Sequence, residues 1–118
     1  MELGYLEHHE LAEILSCCDM LSFPSKYEGF GMPIMEAQAL GLPVIASKTS
    51  CLPEVAGEGA LFHDANDWES LANLIEQVHH GGHEIEDVIA AGKENVKRYH
   101  SGSHAKVLDQ VYRGVLKI

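Results

Sequence analysis

Leu6, Leu11, Ile14, Leu15 and Cys18 recur at helical spacing, so residues 7–18 read as an amphipathic helix. Glu7 and Glu10 fall in its first turns, where the helix dipole favours acids. The apolar run 20–24 reads as a short buried strand, and 25–32 as a loop holding Gly29 and Gly31. Pro33 suits the first position of a helix over 33–40 that stops at Gly41, and Ile34, Met35, Ala37, Ala39 and Leu40 make that helix apolar nearly all round. Val44 to Ser47 predicts a second strand, 52–56 a helical turn, and 60–63 a third strand. Asn66 and Glu69 resemble a capping box that opens a helix with a Leu71, Leu74, Ile75, Val78 stripe, closed by Gly81 and Gly82. Ile85, Val88, Ile89, Val96 and Tyr99 mark another helix, with Gly92 its weak point, and Ala105, Leu108, Val111, Tyr112 and Val115 mark a last one.

Short apolar strands alternating with helices predict an α/β fold with a parallel sheet covered on both faces. Three strands are few for such a sheet, and residues 1–6 are a candidate for a partial fourth. The pattern is that of half a doubly wound domain, with helices at its C-terminal end.

A length of 118 residues fits one domain. The chain has no apolar run near the ~18–20 residues that cross a bilayer, and its first ten residues are acidic and polar, so the expectation is a soluble, cytoplasmic protein. Its charge alters the picture more. Eighteen acids against eight Lys and Arg give a net charge of −10, which argues against nucleic acid as a partner. It also means that a diphosphate ligand must be held by backbone amides and a helix end. The three cysteines, Cys17, Cys18 and Cys51, form no disulfide framework and are expected to be reduced and buried.

The chemistry concentrates in residues 24–37, which run from a strand end through a glycine loop into a helix N-terminus. Ligands of open parallel sheets bind beyond the carboxyl ends of the strands. A helix N-terminus offers unpaired N–H groups and a partial positive charge suited to phosphate, and Gly29 and Gly31 allow close backbone approach. Glu28 precedes the helix; Glu36 lies about a turn inside it and leans back towards its start, within reach of a ribose hydroxyl pair beside a bound diphosphate.

Glu28 through Glu36 resembles the E-x7-E region of the retaining glycosyltransferases of family 4, the group 1 type, which have a GT-B architecture of two Rossmann-like domains. Gly4-Tyr5-Leu6 with Glu10-Leu11, the segment Cys18 to Ser25, the segment Gly41 to Ser47 and the segment Leu52 to Gly57 resemble the family's flanking motifs. The resemblance implies that residues 1–118 are the C-terminal portion of a partial Rossmann-like, nucleotide-sugar-binding domain. In that reading Glu28 contacts the donor sugar near the reacting carbon and is the catalytic candidate. The backbone at Gly29, Phe30, Gly31 and Met32 meets sugar and diphosphate, Glu36 holds the ribose, and Leu6 borders the base. The donor is a uridine- or guanosine-diphosphate sugar, transferred to an acceptor hydroxyl with retention, and no metal or other cofactor is expected. The inner face of the membrane is an expected workplace for the complete enzyme.

Relative to that family the chain lacks the N-terminal acceptor domain and the first half of the donor domain, including an Arg and a Lys that grip the diphosphate. Lys26 and Lys48, the bases near the motif, match neither position. The isolated chain is therefore expected to be inactive, and the missing part to come from a longer protein or a partner chain. A non-catalytic nucleotide-sugar-binding module, one half of a split enzyme and a structural remnant are the competing readings.

Other residues have blander roles. Tyr27 and Phe30 suit either a sugar pocket or the packing of a loop base. Trp68 is expected as a packing anchor, Glu54 as a helix cap, and Cys51 lacks a base that would make it a nucleophile. His79, His80 and His83 match no zinc spacing and suit a helix C-terminus.

A sheet edge normally covered by the missing half invites pairing, so self-association is expected. Light scattering across a concentration series should show a rising mass; a monomer at high concentration counts against it.

Overall fold

The computed structural model describes residues 1–116. Helix α1 (His8–Ser16) leads into strand β1 (Leu21–Phe23), helix α2 (Met32–Leu40), strand β2 (Val44–Ser47), helix α3 (Leu52–Ala56) and strand β3 (Leu61–His63). Helix α4 (Trp68–His80), helix α5 (His83–Val96), a 3-10 turn (Lys97–Tyr99) and helix α6 (Ser101–Leu116) complete the described chain. The strands lie side by side in the order β1-β2-β3, all parallel, with Leu21 opposite Val44 and Ile45 opposite Leu61.

Strand β2 is buried at every position, as a central strand covered on both faces must be. Its alternation sorts the core. Val44 and Ala46 join Ile34 and Ala37 of α2 and Leu52 and Ala56 of α3 on one face. Ile45 joins Val78 of α4, Ile85 of α5 and the half-buried Leu61, Leu71 and Leu74 on the other. This is the α/β, doubly wound arrangement that the sequence predicts.

Helix α2 ends at Gly41, whose φ of 75° needs no Cβ and whose N–H returns to Gln38 at 3.1 Å. Gln38 is fully buried on this helix. Its Nε2 donates to the carbonyls of Ala56 (2.9 Å) and Gly59 (3.1 Å), and its Oε1 accepts from Asn95 Nδ2 at 2.8 Å. Asn95 Nδ2 also donates to Val55 O at 2.8 Å. One amide pair thus ties α2, α3 and α5 together through these four hydrogen bonds.

Several expectations are corrected. Gly92 is no weak point: α5 passes so close to the loop before β3 that a Cβ on Gly59 would lie 2.4 Å from Gly92 Cα. Residues 1–6 form no strand, because Gly4 turns the chain with a φ of 68°, and β1 pairs with β2 alone among the described residues. The cap of α4 is Asp67, not Asn66; its side chain accepts from the Ser70 amide at 2.9 Å. Trp68 is 58% exposed, since it occupies the first turn of α4, before the Leu71 and Leu74 stripe reaches the sheet. Helix α1 is shorter than residues 7–18, running between a Glu7 cap, closed by a capping box with Glu10, and Cys17. Cys17 and Cys18 consequently fall in the exposed turn after α1, and Cys51 is half-buried.

Gly59→Ala should force α5 off the loop before β3. Overpacking of this kind costs about 1–3 kcal/mol, read as a lower urea midpoint at unchanged slope; an unchanged midpoint would contradict the contact.

Candidate functional site

Strand β1 delivers the chain to the carboxyl end of the sheet, and residues 24–31 turn it back into α2. Gly31 is the pivot. It is buried, it is the N-cap of α2 with a φ of 87°, and a Cβ there would come within 2.7 Å of Leu52 Cδ2. Glycine is required on both counts. Helix α2 then starts at Met32, one residue earlier than expected, with Pro33 still in the first turn. The amides of Gly29, Phe30, Gly31 and Met32 donate to no protein acceptor among the described residues. Helix α2 is buried only at Ile34, Ala37 and Gln38, and the unpaired amides at its start, beyond the carboxyl ends of parallel strands, are of the kind that suits an anion.

The two glutamates differ in their surroundings. Glu28 is half-buried and already engaged: its carboxylate accepts from Ser25 Oγ at 2.8 Å. Its carbonyl accepts from Ser50 Oγ at 2.9 Å and from Cys51 Sγ at 3.5 Å. Glu36 is half-buried and has no hydrogen-bond or ion-pair partner among the described residues. It lines a cleft of about 250 Å³ between α1 and α2 together with His8, Leu11, Leu15 and Leu40. A half-buried carboxylate with no protein partner is available to hydroxyl donors of a ligand.

The other candidates divide. Gly29, Phe30 and Met32 are exposed around the pivot. Phe30 meets Tyr99 edge to face, with ring centroids 5.6 Å apart, which gives it a packing partner in the 3-10 turn. Tyr27 is 82% exposed and packs no loop base. Leu6 is half-buried two residues before α1 and is not among the residues that line the Glu36 cleft. Glu54 sits in the first turn of α3, and its carbonyl accepts from Arg98 Nη2 at 3.0 Å and Tyr99 Oη at 3.3 Å. Lys26 and Lys48 are exposed. His80 Nδ1 lies 2.7 Å from the Glu76 carbonyl in the last turn of α4, and no group of three potential metal ligands converges among the described residues.

A set of residues that sequence reasoning missed completes the geometry. Thr49 Oγ1 donates to the Ser25 carbonyl at 2.9 Å, and Ser47 Oγ donates to the same oxygen. Ser50 and Cys51 reach the Glu28 carbonyl, and Cys51 also reaches that of Phe30 at 3.5 Å. The one signal in the sequence is the density of hydroxyl and thiol residues over 47–51, directly after a fully buried strand.

Similar proteins identify the family. A curated O-antigen chain mannosyltransferase B of Escherichia coli is 40% identical over 75 residues, covering 64% of this chain and 20% of that protein. A D-inositol 3-phosphate glycosyltransferase of Corynebacterium diphtheriae is 31% identical over 105 residues, covering 87% of this chain and 25% of that one. The solved structure of sucrose-phosphate synthase from Thermosynechococcus elongatus superposes with a TM-score of 0.82 at 30% identity, covering 98% of this chain and 30% of its own. The chain thus spans a quarter or less of both curated relatives. The family model described as glycosyl transferases group 1 matches residues 2–95, a stretch that takes in the whole sheet, the glycine loop and α2, and this chain belongs to that family.

Proposed function

We propose that this chain is the donor half-site of a retaining glycosyltransferase of family 4, binding a uridine- or guanosine-diphosphate sugar. The observation that carries the reading is the set of partnerless amides from Gly29 to Met32, lying between the engaged carboxylate of Glu28 and the unengaged one of Glu36. The diphosphate sits on the amides at the α2 N-terminus, where aligned peptide dipoles supply about half a positive charge. Glu36 receives the ribose hydroxyls. Leu6 borders the base at the α1 side. Glu28 faces the sugar near its anomeric carbon, with Gly29 and Phe30 lining that end.

In the complete enzyme the anomeric carbon–oxygen bond to the diphosphate breaks and a bond to the acceptor oxygen forms on the same face. The nucleoside diphosphate and the acceptor's proton leave. The relatives' names support a hexosyl unit: two of them are a mannosyltransferase and a sucrose-phosphate synthase. Charge building on the leaving diphosphate calls for cations, and in this chain of net charge −10 the bases that flank the loop in sequence, Lys26 and Lys48, are exposed. The acceptor domain and those cations come from the remainder of a longer protein or from a partner chain. The scheme uses no metal. Cytoplasmic action, at the inner membrane face for the complete enzyme, belongs to the same proposal; no helix among the described residues is long and apolar enough to cross a membrane.

Calorimetric titration with UDP, GDP and ADP and their sugar conjugates tests the half-site. Glu36→Ala should weaken every ligand of the preferred base, and Glu28→Ala only the sugar-bearing ones. Each loss should be about ten- to hundredfold, the scale of a hydrogen bond to a charged group. A folded chain that binds nothing at millimolar ligand, or whose affinity ignores Glu36→Ala, contradicts the reading.

A further inference from the structure

The loop from β2 to α3 is fastened to the loop that carries Glu28 by side chains alone. Ser47 and Thr49 each donate to the Ser25 carbonyl, Ser50 donates to the Glu28 carbonyl at 2.9 Å, and Cys51 reaches the carbonyls of Glu28 and Phe30 at 3.5 Å each. Within the fastened loop, Ser25 Oγ donates to Glu28 Oε1 at 2.8 Å. The carbonyl of Glu28 and its carboxylate are therefore held from different directions by different residues. A hydroxyl has one proton, so each of these bonds commits its donor.

Ser50 stands out in this set. It is the one non-glycine residue among those described with a positive φ, 51°. Serine seldom adopts this conformation, since its Cβ crowds the following carbonyl, and such strain persists where the surroundings over-determine it. Glycine would relieve the strain but would have no hydroxyl to give to Glu28. The strained backbone places the Ser50 Oγ on the Glu28 carbonyl.

We infer that Ser25 and Ser50 are positioning residues for Glu28. Ser50 sets the height of its backbone from the neighbouring strand's loop, and Ser25 fixes the rotamer of its carboxylate. Recognition of the sugar, as distinct from the nucleotide, is thereby controlled from the β2–α3 loop. The inference rests on the proposed role of Glu28 at the donor sugar. It predicts that loss of the Ser25 hydroxyl affects sugar-bearing ligands and leaves the bare nucleoside diphosphate alone, because that hydroxyl bonds the Glu28 carboxylate and neither the amide cradle nor Glu36, whereas Ser50 acts on the backbone of the Glu28–Gly29 peptide.

Two measurements on the intact chain test it. In the first, the ratio of affinities for the sugar conjugate and the bare diphosphate is compared among wild type, Glu28→Ala, Ser25→Ala and Ser25→Thr. Ser25→Ala should cut the ratio by about fivefold or more, the scale of one hydrogen bond, and Ser25→Thr, which keeps the hydroxyl, should restore it. In the second, backbone 15N order parameters of Glu28, Gly29 and Phe30 are measured without ligand in wild type and Ser50→Gly. They should fall from about 0.85 towards 0.6 in the variant, while the melting temperature holds or rises because the strain is gone. A merely structural Ser50 would leave the loop rigid, and that result overturns the inference. So does a ratio that Glu28→Ala abolishes and Ser25→Ala leaves intact. If Glu28→Ala leaves the ratio unchanged, the reading of Glu28 itself fails, and the order parameters still decide whether Ser50 holds the loop.

Discussion

Helix α2 is packed by the sheet, by α1, by α3 and by α5, and one buried amide, Gln38, fixes how it sits among them. A buried amide with unmet polar atoms costs about 1–3 kcal/mol per lost partner, so α2 cannot slide or rotate without breaking bonds to Ala56, Gly59 and Asn95. The glycines at 59 and 92 permit the approach that makes those bonds possible. Because α2 is held in its last turn by Gln38 and packed along its length through Ile34 and Ala37, its first turn is fixed too, and the amides around Gly31 keep one orientation at the carboxyl end of the sheet. The site is a consequence of that constraint.

Electrostatics explains why the site is built from backbone. The chain is strongly acidic, and an anionic ligand approaching it meets repulsion at long range. Peptide N–H groups attract anions without adding net charge, and they lose no side-chain freedom when they bind. Glu28 and Glu36 flank these amides, and as hydrogen-bond acceptors they suit hydroxyl groups rather than phosphates, in keeping with the roles proposed for them. On the proposed reading, orientation and hydroxyl recognition would lie in this chain, while the cations for a leaving diphosphate would come from elsewhere.

Much of this was legible in the sequence because it is local. Val44, Ile45 and Ala46 are a continuous apolar run and fold with Ser47 as the central strand, and Pro33 with Gly41 brackets α2 to within one residue. The placement of Gly31 and Glu28 ahead of that helix follows from the same punctuation. What was not legible depends on approach between distant segments. Gly92 reads as a helix defect until Gly59 is seen against it. Trp68 belongs to the apolar stripe by spacing, and only the sheet's limited reach leaves it exposed. Asn66 and Glu69 read as a capping box, but the helix starts one residue later than that pattern implies and Asp67 caps it. Thr49 and Ser50 show only as part of the hydroxyl-rich run over 47–51, which does not name their partners, because their bonds join loops that lie more than twenty residues apart.

The most direct measurement is an amide chemical-shift map of the 15N-labelled chain titrated with the nucleoside diphosphate sugar it prefers. The account predicts that the largest shifts fall on Gly29, Phe30, Gly31 and Met32, followed by residues lining the cleft at Glu36. Shifts centred elsewhere, for example on the surface between Gly57 and Arg98, with the glycine loop unmoved, would contradict it.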